Sequence, residues 1–235
     1  FGLTWQVYRF IGNQGLLYWV YDAPEAIHEL MSYMLDDRIA LFEYFEKQGL
    51  LALNTDSQMA GPRMYGYVSD LPESNGDSNG DGDVTLKNLW GWAESQEAQS
   101  ISPEMFTQFV LPYLAKLSER FGLIYYGCCE RVDDRLEPII EAIPNLRSVS
   151  VSGWSDFAKT AEILGNNYVY SRKPTPAYIS GPNPDWDLLE KDMRDTYAVT
   201  KDCNVEILLR DVYTTNGDRS RLRKWVDMTK SIFQM

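Results

Sequence analysis

Cys128 and Cys129, followed at once by Glu130, form the pattern in this chain that most directly suggests chemistry. Thiolates are soft donors suited to zinc, and a carboxylate such as Glu130 or Glu94 can add a hard oxygen. Adjacent cysteines at a strand end can point opposite ways, so one can enter a cleft while the other packs. The alternative is that both are small buried hydrophobes. The single histidine, His28, lies inside an amphipathic helix and away from every strand end. The sequence therefore offers no Ser-His-Asp set, no Cys-His pair and no HExxH site. General acid–base work falls to Tyr126, Lys173 and carboxylates such as Asp156 and Asp211. Arg172-Lys173, just before Pro174, can hold a carboxylate or phosphate, or else bridge to Asp156 or Asp211. Neither GxGxxG nor GxxxxGK is present.

These residues stand at the ends of short apolar segments that alternate with helical patterns. Asp22 and Ala23-Pro24-Glu25 open a helix, with Pro at its first turn. Ile27, Leu30, Met31, Met34 and Leu35 continue it at three- and four-residue spacing to Gly49. Strands are expected at Leu50–Leu53, Leu86–Trp92, Leu123–Tyr126, Val149–Val151, Tyr168–Tyr170 and Val205–Leu209. Helices are expected from Ser102 to Phe121, Asp134 to Ala142, Ser155 to Leu164, Asp185 to Lys201 and Ser220 to Phe233. Apolar strands without polar alternation suit a parallel sheet covered on both faces. A doubly wound open sheet fits that order, but polar residues closing successive strands favour a (β/α)8 TIM barrel with its βα loops around one mouth. Six strands imply that the first strands of the barrel are missing from this chain. One domain is expected over 1–235, helical at its amino-terminal part. In the barrel, Asn54, Trp92, Trp154, Arg172 and Lys173 become substrate-binding candidates. Tyr126, Asp156 and Asp211 become catalytic candidates, and Cys128, Cys129, Glu94 and Glu130 the metal ligands. Cys203, which precedes its strand, belongs to packing at the opposite end.

The Asp- and Gly-rich stretch at 72–83 lacks the spacing and terminal Glu of a calcium loop, and reads as a mobile surface loop. A net charge of -12, with 34 acidic against 22 basic residues, opposes nucleic-acid binding. Arg219, Arg221, Arg223 and Lys224 sit beside Asp218 and Asp227 and read as a solvated helix face. No apolar run reaches the length of about eighteen residues that a membrane span needs. No signal peptide pattern opens the chain, which lacks an initiator Met. With three cysteines, a disulfide framework is not expected, and a cytoplasmic location is.

Several stretches carry a resemblance to the uroporphyrinogen decarboxylase superfamily, which includes zinc-dependent corrinoid methyltransferases. They are SPEMFTQFVLPYLAKLSERFG from Ser102, YYGCCERVDDRL from Tyr125, IPNLRSVSVSGWSDFAKTAEILG from Ile143, VYSRKPTPA from Val169 and VEILLRDVYTTNGDRSRLRKW from Val205. The likeness covers about four-fifths of the chain and is strongest for a branch with the YGCCE pattern. It implies a (β/α)8 barrel. The methyltransferases carry a strand-end His-x-Cys and a later Cys as zinc ligands. Here the first motif falls on Tyr126-Gly127-Cys128, and Asp211 stands where the later Cys would be. The decarboxylases bind their substrate through amino-terminal Arg residues that have no match in this chain.

The resulting expectation is a zinc-dependent methyltransferase acting on a small methylated compound or a methyl-corrinoid. Zinc is the expected cofactor, and a corrinoid protein the expected partner. The alternatives are a decarboxylase, with Asp156 or Asp211 as proton donor and Arg172 and Lys173 on the departing carboxylate, and a non-catalytic ligand-binding barrel.

Overall fold

A computed structural model describes residues 2–62, 64–74 and 83–234. Of the expected mobile loop at 72–83, residues 75–82 lie outside the described residues.

The chain opens with two long helices, α1 (Leu3–Asp22) and α2 (Pro24–Lys47). α1 is broken at Gly12, whose φ of 71° and ψ of 174° are not helical. Pro24 fits the first turn of α2, where its missing N–H costs no hydrogen bond. Ile27, Met31, Met34 and Leu35 form the buried stripe of α2, at the spacing read from sequence. His28 packs within this layer: Nδ1 lies 2.8 Å from the Tyr113 hydroxyl, and its ring is 4.7 Å from that of Phe109.

Beyond this pair the chain alternates strand and helix. The order is β1 (Trp90–Ala93), α3 (Pro103–Phe109), α4 (Leu111–Ser118), β2 (Leu123–Tyr126), α5 (Leu136–Ala142) and β3 (Leu146–Val151). There follow α6 (Phe157–Leu164), β4 (Val169–Arg172), the short α7 (Ala177–Ser180), α8 (Trp186–Val199), β5 (Asn204–Ile207) and α9 (Ser220–Phe233). Among the described residues the fold is mixed α/β, with a central parallel sheet of five strands flanked by helices. The strands lie side by side in the order β1-β2-β3-β4-β5, each parallel to the next. The single helix expected after Ser102 is two helices, because Pro112, in the first turn of α4, cannot continue the hydrogen-bond ladder of α3. Ser102 caps α3 by accepting from Met105 N at 3.2 Å, as its sequence position suggests.

Among the described residues Leu50–Leu53 does not form a strand. A side chain makes the pairing instead: Asn54 accepts from Trp90 N and donates to Trp90 O, each at 3.0 Å. This amide satisfies one backbone donor and one acceptor of β1 without a strand beside it. Asn54 is thus committed to the backbone of β1.

The two faces of the sheet differ. One carries Ile124, Tyr126, Val149, Val151 and Tyr170, which share a core with buried residues of α4, α5 and α6. On the other, Trp90, Leu123 and Tyr125 pack against Ala60 and Met64, from the segment between α2 and β1. Gly61 passes so close that a Cβ there would stand 2.7 Å from the Tyr125 ring. Toward the carboxyl ends this second face turns polar. Ser148 faces Tyr125 in register, Ser150 pairs with Ser171, and Ser171 pairs with Glu206. Strand side chains alternate faces, so the LRSVSV sequence of β3 places its serines on one side and its valines on the other. The expectation of strands without polar alternation fails there. Ser148 Oγ and Glu206 Oε1 are buried without a hydrogen-bond partner among the described residues.

Candidate functional site

The polar face ends in a cluster built by three strand termini. Gly127 closes β2 with φ of 95°, a left-handed conformation that glycine adopts at little cost. This turn directs Cys128 and Cys129 over the end of the sheet. Their sulfurs are 3.7 Å apart. Lys173 follows β4 directly, and because residues alternate along an extended chain it faces opposite to Arg172. It is only 2% exposed. Its Nζ donates to the Tyr125 hydroxyl at 2.6 Å and to Ser150 Oγ at 2.5 Å, and lies 4.8 Å from the centre of the Tyr125 ring. Arg210, three residues past β5, donates through Nη1 to Cys128 O at 2.9 Å and through Nη2 to the Cys129 sulfur. Its Nε is 2.9 Å from Asp211 Oδ2.

Ser150 ties the parts together. Its Oγ donates to Cys128 O at 2.7 Å, the same carbonyl that receives Arg210, while it accepts from Lys173. Lys173, Ser150, the Cys128 carbonyl and Arg210 thus form one hydrogen-bonded relay. It borders a cleft of about 560 Å³ lined by Cys129, Lys173, Arg210, Trp154, Thr175 and Tyr178, among others. Trp154 stands at the lip, 80% exposed.

The electrostatics of the cluster separate the two thiols. The Cys129 sulfur accepts a hydrogen bond from Cys128 and another from Arg210, which push its pKa down to about 6 against the opposing effect of burial. The Cys128 thiol is pushed up, first as donor in that pair and then by burial. Burial lowers the pKa of Lys173 from 10.5 to about 7, and the positive charge of Arg210 adds to the effect. Burial likewise raises that of Glu206, on the same face. A thiolate and an amine that is neutral in part therefore face one cleft near neutral pH, and both are nucleophiles.

The expected metal site does not form. Among the described residues no group of three or more His, Cys, Asp or Glu could hold a metal ion. The carboxylates are committed elsewhere: Glu130 accepts from Ser95 N at 3.0 Å and Cys128 N at 2.7 Å, one bond to each oxygen. Glu94 accepts from Gln96 N at 3.0 Å. A guanidinium, not a cation site, adjoins the Cys129 sulfur. These residues do not fit zinc, and the zinc-dependent methyltransferase reading is overturned. The corrinoid partner entered with that mechanism and goes with it.

Other expected site residues are placed as follows. Tyr126 is fully buried on the helix-covered face, its hydroxyl 2.7 Å from Ser95 Oγ, and burial raises its pKa. Asp156 is the N-cap of α6, accepting from Lys159 N at 3.0 Å. Asp211 pairs with Arg210 and has a positive φ of 56°. Arg172 lies in the helix-side layer, paired with Asp192 at 2.5 Å. Neither carboxylate expected to donate a proton in the decarboxylase alternative is buried against the cleft, and Arg172 faces away from it. Trp92 Nε1 donates to Gly127 O at 3.1 Å and supports the turn before the cysteines. Cys203 Sγ is 3.6 Å from Ala161 O, and the residue packs against the core between the sheet and α6. Arg210, Tyr125, Ser150 and Glu206 were missed. The signal for Ser150 and Tyr125 was the two-residue period of their strands; Arg210 was visible only as one more strand-end charge.

Glu94 is mostly buried near Glu97 and Glu130, and burial pushes its pKa from 4.5 to about 7. Between those values the folded chain holds more protons than the unfolded one, so this group's stabilisation is lost as pH rises through them. Glu94→Gln keeps an acceptor for Gln96 N and removes the titration. The stability difference, variant minus wild type, should rise by roughly 3 kcal/mol from pH 4 to 7.5. Denaturant unfolding across that range checks it; a flat difference would refute the buried-acid account.

No described helix is long and apolar enough to cross a membrane. No family model matches the chain, and no curated protein matches it.

Proposed function

We propose that the cleft at the carboxyl ends of β2, β3, β4 and β5 is an active site in which the Cys129 thiolate attacks a small carboxylate-bearing electrophile. The observation that carries this reading is the hydrogen bond from Arg210 to the Cys129 sulfur at the edge of an open cleft. A thiolate held beside a guanidinium is available near neutral pH without a histidine partner. In the reaction the sulfur electron pair forms the new bond to carbon, and the leaving group departs with the pair of the bond that breaks. Arg210 has five N–H donors, more than its bonds to Asp211, Cys128 and Cys129 require. It supplies the positive charge for a substrate carboxylate, and Trp154 and Tyr178 give the wall for the apolar part of the substrate.

The same placement supports reading the sheet as part of a (β/α)8 barrel. A doubly wound sheet reverses its strand order at a switch point, whereas this order runs β1 to β5 without reversal. Buried residues of α4, α5 and α6 pack on one face, and the core patch on the other contains no helical residue. In a barrel, chemistry collects at the carboxyl ends of the strands, where this cluster stands. The likeness to the uroporphyrinogen decarboxylase superfamily supports the barrel reading and, since the motif residues for zinc are replaced, no more than that.

The test compares alkylation of Cys129 by iodoacetate, an anion, with that by neutral iodoacetamide, read by peptide mass mapping. Relative to glutathione, the iodoacetate-to-iodoacetamide rate ratio should rise about tenfold or more. Arg210→Gln should abolish the preference and shift the pH at which labelling begins upward from about 6. A ratio equal to that of glutathione would overturn the anion-binding reading. Labelling that begins only near the ordinary thiol pKa would overturn the thiolate.

A further inference from the structure

Lys173 is not used by the thiolate reaction, yet it is the more unusual group. Few positions bury a lysine to 2% exposure, and this one has hydroxyls instead of carboxylates for hydrogen-bond partners. Among the described residues it forms no salt bridge. A purely structural lysine would be expected to pair with an acid, since an unpaired buried ammonium is costly. Here the fold keeps the amine at the wall of an open cleft, with two neutral oxygens that fix its direction.

We infer that Lys173 is an imine-forming amine that takes the carbonyl carbon of a small 2-oxo acid whose carboxylate is held by Arg210. This rests on the reading of the cleft as a site for small carboxylates and specifies the carbonyl beside that carboxylate. The lone pair of Nζ attacks the carbonyl carbon, and the carbonyl π pair moves to oxygen, which gains a proton. Loss of a proton from nitrogen gives the neutral carbinolamine. Protonation of its hydroxyl then lets water leave with the carbon–oxygen pair as the nitrogen lone pair forms the C=N bond of a protonated imine, and release of one proton from its nitrogen gives the imine. The balance is amine plus ketone to imine plus water, with no oxidant or metal consumed.

The neighbours suit each step. The Tyr125 hydroxyl at 2.6 Å and Ser150 Oγ at 2.5 Å can relay protons to and from the carbinolamine. Glu206 lies on the same face, in register with Ser171, whose Oγ is 2.9 Å from the Tyr125 hydroxyl. Its unpartnered Oε1 leaves acceptor capacity at the end of that chain of hydroxyls. The relay through Ser150 and the Cys128 carbonyl places Arg210 two hydrogen-bonded groups from Nζ, a short span that suits the adjacent carbonyl and carboxylate of a 2-oxo acid.

The probe is pyruvate with sodium borohydride, on the full chain, followed by peptide mapping. Reduction of the imine leaves a stable adduct whose mass gain equals pyruvic acid less one oxygen atom. Lys173 should carry it about tenfold or more in excess of any other lysine, because surface amines are protonated at pH 7. Lactate, which lacks the carbonyl, should give none. Lys173→Met should remove the adduct, and Arg210→Gln should cut trapping of pyruvate several-fold relative to that of uncharged hydroxyacetone. Mapping the wild-type protein alone suffices if either variant fails to fold. Adducts spread evenly over surface lysines would overturn the inference. If Cys129 prefers iodoacetate but Lys173 gives no adduct, the cleft reading stands and the imine falls. If Lys173 is trapped but Cys129 shows no preference, the amine is confirmed as imine-forming and the binding of a carboxylate beside Cys129 falls instead.

Discussion

Arg172→Met should cost about 3–5 kcal/mol of folding stability, because it leaves the Asp192 carboxylate in the interior without its cation. The guanidinium is fully buried. It donates to Asp192 at 2.5 Å, to Thr196 Oγ1 at 3.2 Å and to Val151 O at 3.4 Å, and stacks 4.1 Å from the centre of the Phe157 ring. It therefore links β4 to β3, α6 and α8 in one side chain. Met keeps much of the aliphatic contact with Phe157 and removes the charge, so the loss reports mainly the unpaired acid. Arg172→Met combined with Asp192→Leu should recover part of the loss, as removing both members of a buried pair is commonly less harmful than removing one. Urea unfolding of the three variants decides. A single-variant loss below about 1 kcal/mol, or a double variant as unstable as the sum of the singles, would contradict this account.

Lys173→Met should change the pH dependence of stability by a comparable amount. Burial brings the folded pKa down from 10.5 to about 7, so between these values the unfolded chain binds the extra proton. Stability then rises with pH across that window. The cost of the buried ammonium is fully present below about 7 and gone above about 10.5. Over the whole window the change is on the order of 5 kcal/mol, or about 1.4 kcal/mol for each pH unit. The Met variant has no such titration. The wild-type-minus-variant difference should climb steadily from pH 7 to 9.5 in denaturant experiments. A constant difference would mean that the amine is solvated in the folded state, and would also remove the basis for its role as a free nucleophile.

Composition and periodicity were enough to determine much of the scaffold. Pro24, Ser102 and Gly165 mark helix boundaries through local chemistry, by a missing N–H, a capping hydroxyl and a positive φ. The stripe of Ile27, Met31, Met34 and Leu35 and the alternation of strands with helices follow from local burial pattern. An α/β fold with a parallel sheet was therefore legible, and so was the fact that polar residues end the strands. Which of those residues would meet was not legible. Asn54 reads as a strand-end ligand group but pairs with the backbone of β1, and Asp156 reads as an acid but caps a helix. Arg172 and Lys173 are neighbours of like charge in sequence, yet the two-residue period sends one into the helix layer and the other to the cleft. Cys128, Cys129 and Glu130 look like a metal set by type. Only the folded chain turns both Glu130 oxygens onto backbone amides and brings Arg210, 81 residues beyond Cys129, against its sulfur. Residue types set what each side chain can donate or accept; the competition among backbone amides, carboxylates and a distant guanidinium for the same few positions is settled by tertiary contacts, and it is that competition which replaced a zinc site with a thiolate and a buried amine.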